Sequence, residues 1–408
     1  MRTSITILLL ISCHLISSCK KNDSENRPVE PSSIPDSTKY MLLPTFEAGP
    51  YGKKVVNLTC FNGDNSVKWK RINLGNAWDF STLERKSPSY FNNVIYYAVD
   101  SIDARYNTYS SFHAIDINTG TDLWNVPFSS YTIRNPVVRN DTMYCALREG
   151  FTNYVAAFHP LNGFLFWRVP IKERFGADHL FLEGNTLFFV SSPAQTSIVN
   201  SFDLTTRTLN WQTPIGANVG GMYSYINISR DVLCIANGVS ILSGMNKLTG
   251  ANLWSKPKGY QPLFLYNDLL YTFDPKTDFT ALNPLDGSIA LQWASERPNG
   301  SVGYTNGYVL AENDIYVAGI DQFANGFLKN FDPKTGALIW TKDFPLECAL
   351  QIVTEKNIYI SIPMGNSTKL KIYDRKTVVA QDSIMLATHD LGKWAIITTK
   401  GKYISSFQ

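Results

Sequence analysis

The sequence predicts an all-β chain: an eight-bladed β-propeller of four-stranded antiparallel blades, its ring closed by shared N- and C-terminal strands. Three observations predict this. A hairpin signature ending in Trp recurs along the chain, an apolar strand pair precedes most copies, and the two chain ends carry complementary halves of one unit.

The hairpin is clearest in "FDPKTGALIW", Phe331–Trp340. It returns as "FHAIDINTGTDLW", "VAAFHPLNGFLFW", "VNSFDLTTRTLNW", "ILSGMNKLTGANLW" and "FTALNPLDGSIALQW". An earlier copy, "LTCFNGDNSVKW", and a degenerate last one, "LKIYDRKTVVAQD", bring the total to eight, about 40 to 55 residues apart. Trp69, Trp124, Trp167, Trp211, Trp254, Trp293 and Trp340 hold one position, seven of the chain's nine tryptophans. Eight residues before five of them stand Asp116, His159, Asp203, Asn246 and Asp332. Four residues before the same five stand Gly120, Gly163, Arg207, Gly250 and Gly336. Trp293 is displaced by two residues relative to Gly287, which keeps it on the same strand face.

These offsets have a physical reading. Asp or Asn accepts hydrogen bonds from the turn amides, Pro333 presets φ, and Gly takes the left-handed position that ends the turn. A large ring repeated once per unit is expected to pack that unit against its neighbour.

Before the hairpins, "RNPVVRNDTMYCAL", "LFLEGNTLFFVSS", "INISRDVLCIA", "PLFLYNDLLYTF", "YVLAENDIYVAG", "QIVTEKNIYISI" and "SPSYFNNVIYYAV" each read strand, polar turn, strand. The first hairpin, around Val55–Ile72, has no such pair before it, and "LATHDLGKWAIITTK" has no complete hairpin after it. The ends can therefore build one blade together, which leaves few free sheet edges.

Composition agrees. The 408 residues are 44% hydrophobic and 13% aromatic, which favours half-buried strands. A net charge of +3 without a long run of like charge in the body excludes an electrostatic nucleic-acid binder.

The N-terminus is a separate region. "MRTSITILLLISCHLISSC" has one Arg, a short apolar run and then small residues, the form of a secretory signal over residues 1–18. Ile16-Ser17-Ser18-Cys19 resembles the lipobox of bacterial lipoproteins. That resemblance implies cleavage before Cys19 and lipidation of its thiol, and two or more acyl chains anchor a protein stably. Residues 19–39 are polar and broken by Pro28, Pro31 and Pro35, so a disordered tether is expected there, with the propeller over 40–408. Lys20 stands where enteric lipoproteins retained at the inner membrane carry Asp, which favours the outer membrane; the side of that membrane stays open. Cys60, Cys145, Cys234 and Cys348 are scattered through apolar strands and read as buried thiols.

Strand pair followed by "L-x-A-L-D-x-x-T-G-x-x-x-W" resembles the pyrroloquinoline-quinone-type repeat, over about residues 50–408. That repeat occurs in quinoprotein dehydrogenases and in non-enzymatic propellers. With anchor, tether and eight blades, the chain resembles the BamB family, propeller subunits of the outer-membrane β-barrel assembly machinery. The likeness implies a scaffold that holds an envelope or outer-membrane protein partner. The dehydrogenase branch implies a cofactor stacked between a Trp and adjacent cysteines, beside Ca²⁺ held by Glu, Asn and Asp. This sequence has no adjacent cysteines and no assignable Ca²⁺ set, so neither cofactor nor metal is expected.

Other chemistry is not signalled. G-x-S-x-G, H-E-x-x-H and P-loop patterns are missing, and "GANVGG" reads as turn glycines. His159 takes the Asp position of the turn, His113 sits in a repeat strand and should pack, and His179 and His389 are unpaired in the sequence.

Departures from the repeat mark candidate binding residues. They are Trp78 and Phe80 in Asn73–Ser89; Arg105, Tyr106 and Tyr109 in Ser101–Ser111; Arg174 and Phe175 in Lys172–His179; and Arg297 and Tyr304 in Ser295–Gly307. In a propeller, blade-to-blade connections and middle hairpin loops leave by one face, so these side chains are expected around one mouth. Trp, Tyr and Arg are the types enriched at binding hot spots. The occupant expected is an envelope protein, with a surface glycan as the alternative and a funnel enzyme as the third possibility.

Overall fold

A computed structural model describes residues 38–48, 54–77, 88–102, 108–129, 136–149, 152–171, 175–191, 196–217, 224–237, 241–256, 261–273, 278–294, 304–311, 313–320, 325–365, 367–386, 390–391, 395–398 and 403–405. Every regular element among them is a strand. Eight antiparallel sheets follow one another around a ring: seven have four strands, and the sheet that joins the chain ends has six.

Blade 1 holds β1 (Thr38–Ala48), β2 (Lys54–Asn62) and β3 (Val67–Ala77) from the N-terminus. The C-terminal strands Ala395–Thr398 and Tyr403–Ser405 complete it, and Asp390–Leu391 also pairs with β1. The shared closing blade is therefore present, but it contains one strand that the repeat did not signal. β1 precedes the first hairpin, where the sequence showed no strand pair, and it begins at Thr38. Its run "YMLLPTFEA" lacks alternation because both faces are covered. Tyr40, Leu42 and Phe46 join Val56, Leu58, Ile95, Tyr97 and Val99 towards blade 2. Met41 and Leu43 join Ile352, Tyr359, Leu370 and Ile372 towards blade 8. Successive side chains of a strand point to opposite faces, so an apolar run is what a blade between two neighbours needs.

Blade 2 holds β4 (Ser89–Phe91), β5 (Val94–Ile102), β6 (Thr108–Asp116) and β7 (Asp122–Ser129). Blades 3 to 8 occupy 137–171, 175–217, 224–256, 261–294, 304–344 and 349–386. First strands of neighbouring blades touch from blade 2 to blade 6 and again between blades 7 and 8, which puts them innermost and the Trp-bearing strands outermost. The core is a series of inter-blade layers.

Each joint uses the repeated residues. Asp116 Oδ1 accepts from the amides of Asn118 (2.6 Å) and Thr119 (3.1 Å), and Asp203 and Asp332 form the same turn. His159 does so through Nδ1, which accepts from Leu161 N at 3.2 Å. Gly120, Gly163, Gly250, Gly287 and Gly336 all have φ between 69° and 73°. The rings of Trp69, Trp124, Trp211 and Trp254 lie against Gly120, Gly163, Gly250 and Gly287 of the next blade. Sequence reasoning anticipated that packing but missed the polar half of the joint. The indole N–H groups of Trp69, Trp124, Trp211 and Trp254 donate to Ile117, Pro160, Lys247 and Pro284 O at 2.7, 2.8, 3.1 and 2.7 Å. Tyr359 Oη donates to Asn65 Oδ1 at 3.1 Å and ties blade 8 to blade 1.

Two blades depart from Gly at the left-handed position. Arg207, at φ 60°, lays its guanidinium over Trp167, 5.3 Å from the centroid. Val378, at φ 57°, is β-branched in a region that favours glycine. Replacing it should relieve strain of order 1–3 kcal/mol against a glycine entropy cost of about 0.5–1 kcal/mol. Val378→Gly is expected to stabilise the protein by about 1 kcal/mol, read as a higher denaturant midpoint; a lower midpoint would contradict this.

Cys60, Cys145, Cys234 and Cys348 are buried thiols outside any disulfide, each pushed up to about 12 by loss of water.

Candidate functional site

An open pocket of about 610 Å³ lies between blades 1 and 2. Asn73, Leu74 and Gly75 of β3 form one wall; Ser101 of β5, Ser111 and His113 of β6, and Asn125 and Pro127 of β7 form the other. A local irregularity of β3 makes room for it. Val56 pairs with Gly75 and Leu58 with Arg71, so extra residues of β3 face Asn57. Asn73 takes φ 57° there, and its amide donates to the Oδ1 of buried Asn57 at 2.9 Å. A bulge of this kind bends the strand and breaks its pairing.

The pocket floor is polar and connected. Ser111 and His113 are two residues apart on β6, so they share a strand face. Ser111 Oγ lies 2.8 Å from His113 Nε2, and His113 Nδ1 lies 3.3 Å from Asp122 Oδ1. Arg71 crosses from blade 1 and grips Asp122 with both terminal nitrogens, at 3.1 and 3.0 Å, while also donating to Gly120 O at 2.8 Å.

His113 is 4% exposed, and burial pulls its pKa below the usual histidine value; Asp122 pulls the other way and Arg71 reinforces the drop. The ring is therefore neutral at neutral pH. A carboxylate only accepts, so the proton sits on Nδ1 and is donated to Asp122. Nε2 is then an acceptor, and the Ser111 hydroxyl donates to it. Burial of His113 agrees with its sequence reading; the network around it was not foreseen.

Two of the repeat-departing segments border this pocket. Asn73–Gly75 opens the first, and Ser101 and Ser111 bound the second. Cys19, Trp78, Phe80, Arg105, Tyr106, Arg174 and Arg297 lie outside the described residues, as does His389. Tyr109, Phe175 and Tyr304 have backbone positions in strands, Tyr109 in β6 and the other two in the first strands of blades 4 and 7; their side chains also lie outside the description. Inside Ser101–Ser111, the sequence indicated one inserted loop, but Ser101 and Ile102 continue β5 and β6 begins at Thr108.

The described residues do not fit a quinone cofactor stacked on adjacent cysteines. The four thiols sit in blades 1, 3, 5 and 7–8, each buried in its own layer. The indoles of Trp69, Trp124, Trp211 and Trp254 are committed to the next blade. Among the described residues, no three His, Cys, Asp or Glu side chains gather closely enough to hold a metal ion.

Solved structures similar to this chain include the computationally designed Ika8 protein, with TM-score 0.54 and 10% identity over 79% of this chain and 95% of that one. Quinohemoprotein alcohol dehydrogenase from Comamonas testosteroni has TM-score 0.51 and 12% identity over 85% and 74%. BamB from Moraxella catarrhalis has TM-score 0.46 and 12% identity over 73% and 93%. At such identities the likeness to the first two is one of fold. No curated protein matches in sequence. The family model described as outer membrane protein assembly factor BamB matches residues 152–378, more than half of the chain. With that match laid over blades 3 to 8 of the ring, the chain belongs to the BamB family of repeat propellers.

Proposed function

We propose that this protein is a bacterial envelope lipoprotein, anchored through Cys19 at the outer membrane, that works as a protein-binding scaffold in the manner of BamB. The observation that carries the reading is the family match over 152–378. Binding, rather than quinone-dependent redox chemistry, is what the separated thiols and committed indoles favour.

The strand directions add support. β1 starts beside the β2–β3 turn: Tyr40 pairs with Asn62, and a Cβ on Gly63 would stand 2.1 Å from Thr38 O. The anchor segment thus joins on the face of the Asp and Asn turns. Strands alternate in direction, so β3 and β5 both end on the opposite side of the ring. A propeller tethered by one face offers the other to a partner, an envelope or outer-membrane protein.

Cross-linking the full-length protein in native membranes and identifying what co-purifies tests this. A stoichiometric envelope protein is expected; recovery of the lipoprotein alone, at native abundance, would contradict the reading.

A further inference from the structure

The polar floor between blades 1 and 2 is not part of the repeat. In the seven blades that carry the repeat Trp, a residue pairs across to the one after it, and His113, opposite Asn125, holds that position in blade 2. Its counterparts are Ala156, Asn200, Ser243 and Lys329 in blades 3, 4, 5 and 7. Two residues earlier, where blade 2 has Ser111, those blades have Tyr154, Ile198, Ile241 and Phe327. Neither Ser111 nor His113 is therefore required by blade packing, which Trp69 and Gly120 already secure at this joint.

What the two add is an ordered set of donors. Ser111 donates to His113 Nε2 at 2.8 Å, His113 Nδ1 faces Asp122 at 3.3 Å, and Arg71 fixes Asp122 in place. A hydroxyl held by an imidazole that is itself oriented by a carboxylate is the arrangement of an activated nucleophile, recognised by geometry and not by position in the chain. Ser111 is 9% exposed and lines the pocket, so a small molecule there reaches the hydroxyl. Leu74 and Pro127 give the pocket apolar wall, and Asn125, exposed and paired across from His113, adds an amide to its lining. A volume of about 610 Å³ suits a small ligand.

We propose that this pocket is a serine-dependent acyl-transfer site for small carboxylic esters, with Ser111 as nucleophile, His113 as general base and Asp122 as positioning residue. Ser111 Oγ bonds to the carbonyl carbon while its proton passes to His113 Nε2. The adduct then breaks its bond to the alcohol oxygen, which leaves with that proton. Water, giving a proton to His113, attacks the acyl carbon; Ser111 Oγ departs and recovers the proton. Ester and water become acid and alcohol, with no oxidant or further reactant.

The test uses the full-length protein in detergent, a fluorophosphonate probe and p-nitrophenyl acetate. Peptide mass spectrometry should place the probe on Ser111 in folded protein and on no serine after heat denaturation. Ser111→Ala should abolish both labelling and ester turnover, and Asp122→Asn should slow labelling about 100-fold or more. Among the described residues, the charged groups facing His113 are Asp122 and Arg71. Labelling should rise with pH to a plateau, with its midpoint below the ordinary histidine value of about 6.5, because burial lowers His113. A polar clamp without catalytic capacity would move none of these readouts. Folded wild type left unlabelled at Ser111, or equal turnover in Ser111→Ala, overturns the proposal even if Asp122→Asn fails to fold.

Discussion

Arg375→Ala is expected to lower stability by about 3–5 kcal/mol. Arg375 sits in the blade 8 turn yet is only 7% exposed, because its side chain crosses back into blade 7. Nε donates to Tyr316 Oη at 2.9 Å, and one terminal nitrogen donates to both Ala311 O at 3.1 Å and Asp314 Oδ2 at 3.0 Å. Truncation would leave the partly buried Asp314 carboxylate with Tyr316 Oη at 3.2 Å but no cation, and would strip the guanidinium from Tyr316 Oη and Ala311 O; that loss of partners sets the magnitude. Arg375→Lys keeps the charge but loses the fork, so it should fall between wild type and Ala. The check is the denaturant midpoint of the three proteins. A midpoint for Arg375→Ala within error of wild type would show that the blade 7–8 joint rests on apolar packing alone.

Gly250→Ala should cost about 2–5 kcal/mol. Two effects add there. At φ 72° an L residue meets strain of roughly 1–2 kcal/mol. The new Cβ would also stand 2.5 Å from Trp211 Cε3 and 2.7 Å from Thr213 Oγ1, where overpacking costs about 1–3 kcal/mol. Gly184 and Gly365 separate the two effects. They have φ 54° and 67°, but a Cβ on either meets nothing within 4 Å. Gly184→Ala and Gly365→Ala should therefore show only the strain, about half the loss or less. Equal losses at all three sites would mean that contact with the Trp ring contributes nothing to the joint.

The same contrast explains what could be read in advance. The Asp–Gly–Trp spacing is local chemistry, so the turns at Asp116, Asp203 and Asp332 and the wedge of Trp69 against Gly120 follow from a few adjacent residues. β1 escaped notice because its signal is not local. "YMLLPTFEA" has no Asp or Asn turn and no alternation, and only burial between blades 8 and 2 explains it. The pocket is harder still. Arg71 stands 51 residues from its partner Asp122, and only the packing of blade 1 on blade 2 brings them together. One local sign was available: "SSFHAID" puts Ser111 and His113 two apart where other blades carry apolar or unrelated pairs, and Asp122 lies just past the following turn. Trp78 and Arg105 were legible only as departures from a pattern, which identifies a residue as unneeded by the fold without naming what it touches.

The most direct measurement compares cross-linked partners of wild type with those of a Trp78→Ala, Tyr106→Ala, Phe175→Ala variant, each recovered from native membranes as the full-length protein. A scaffold working through the face opposite its anchor predicts one stoichiometric envelope protein with wild type and its loss with the variant, at equal abundance and unchanged denaturant midpoint. The same partner, recovered equally with both, would contradict that face as the binding surface. No partner with either would contradict the scaffold itself and leave a glycan or the ester pocket between blades 1 and 2 to account for the protein.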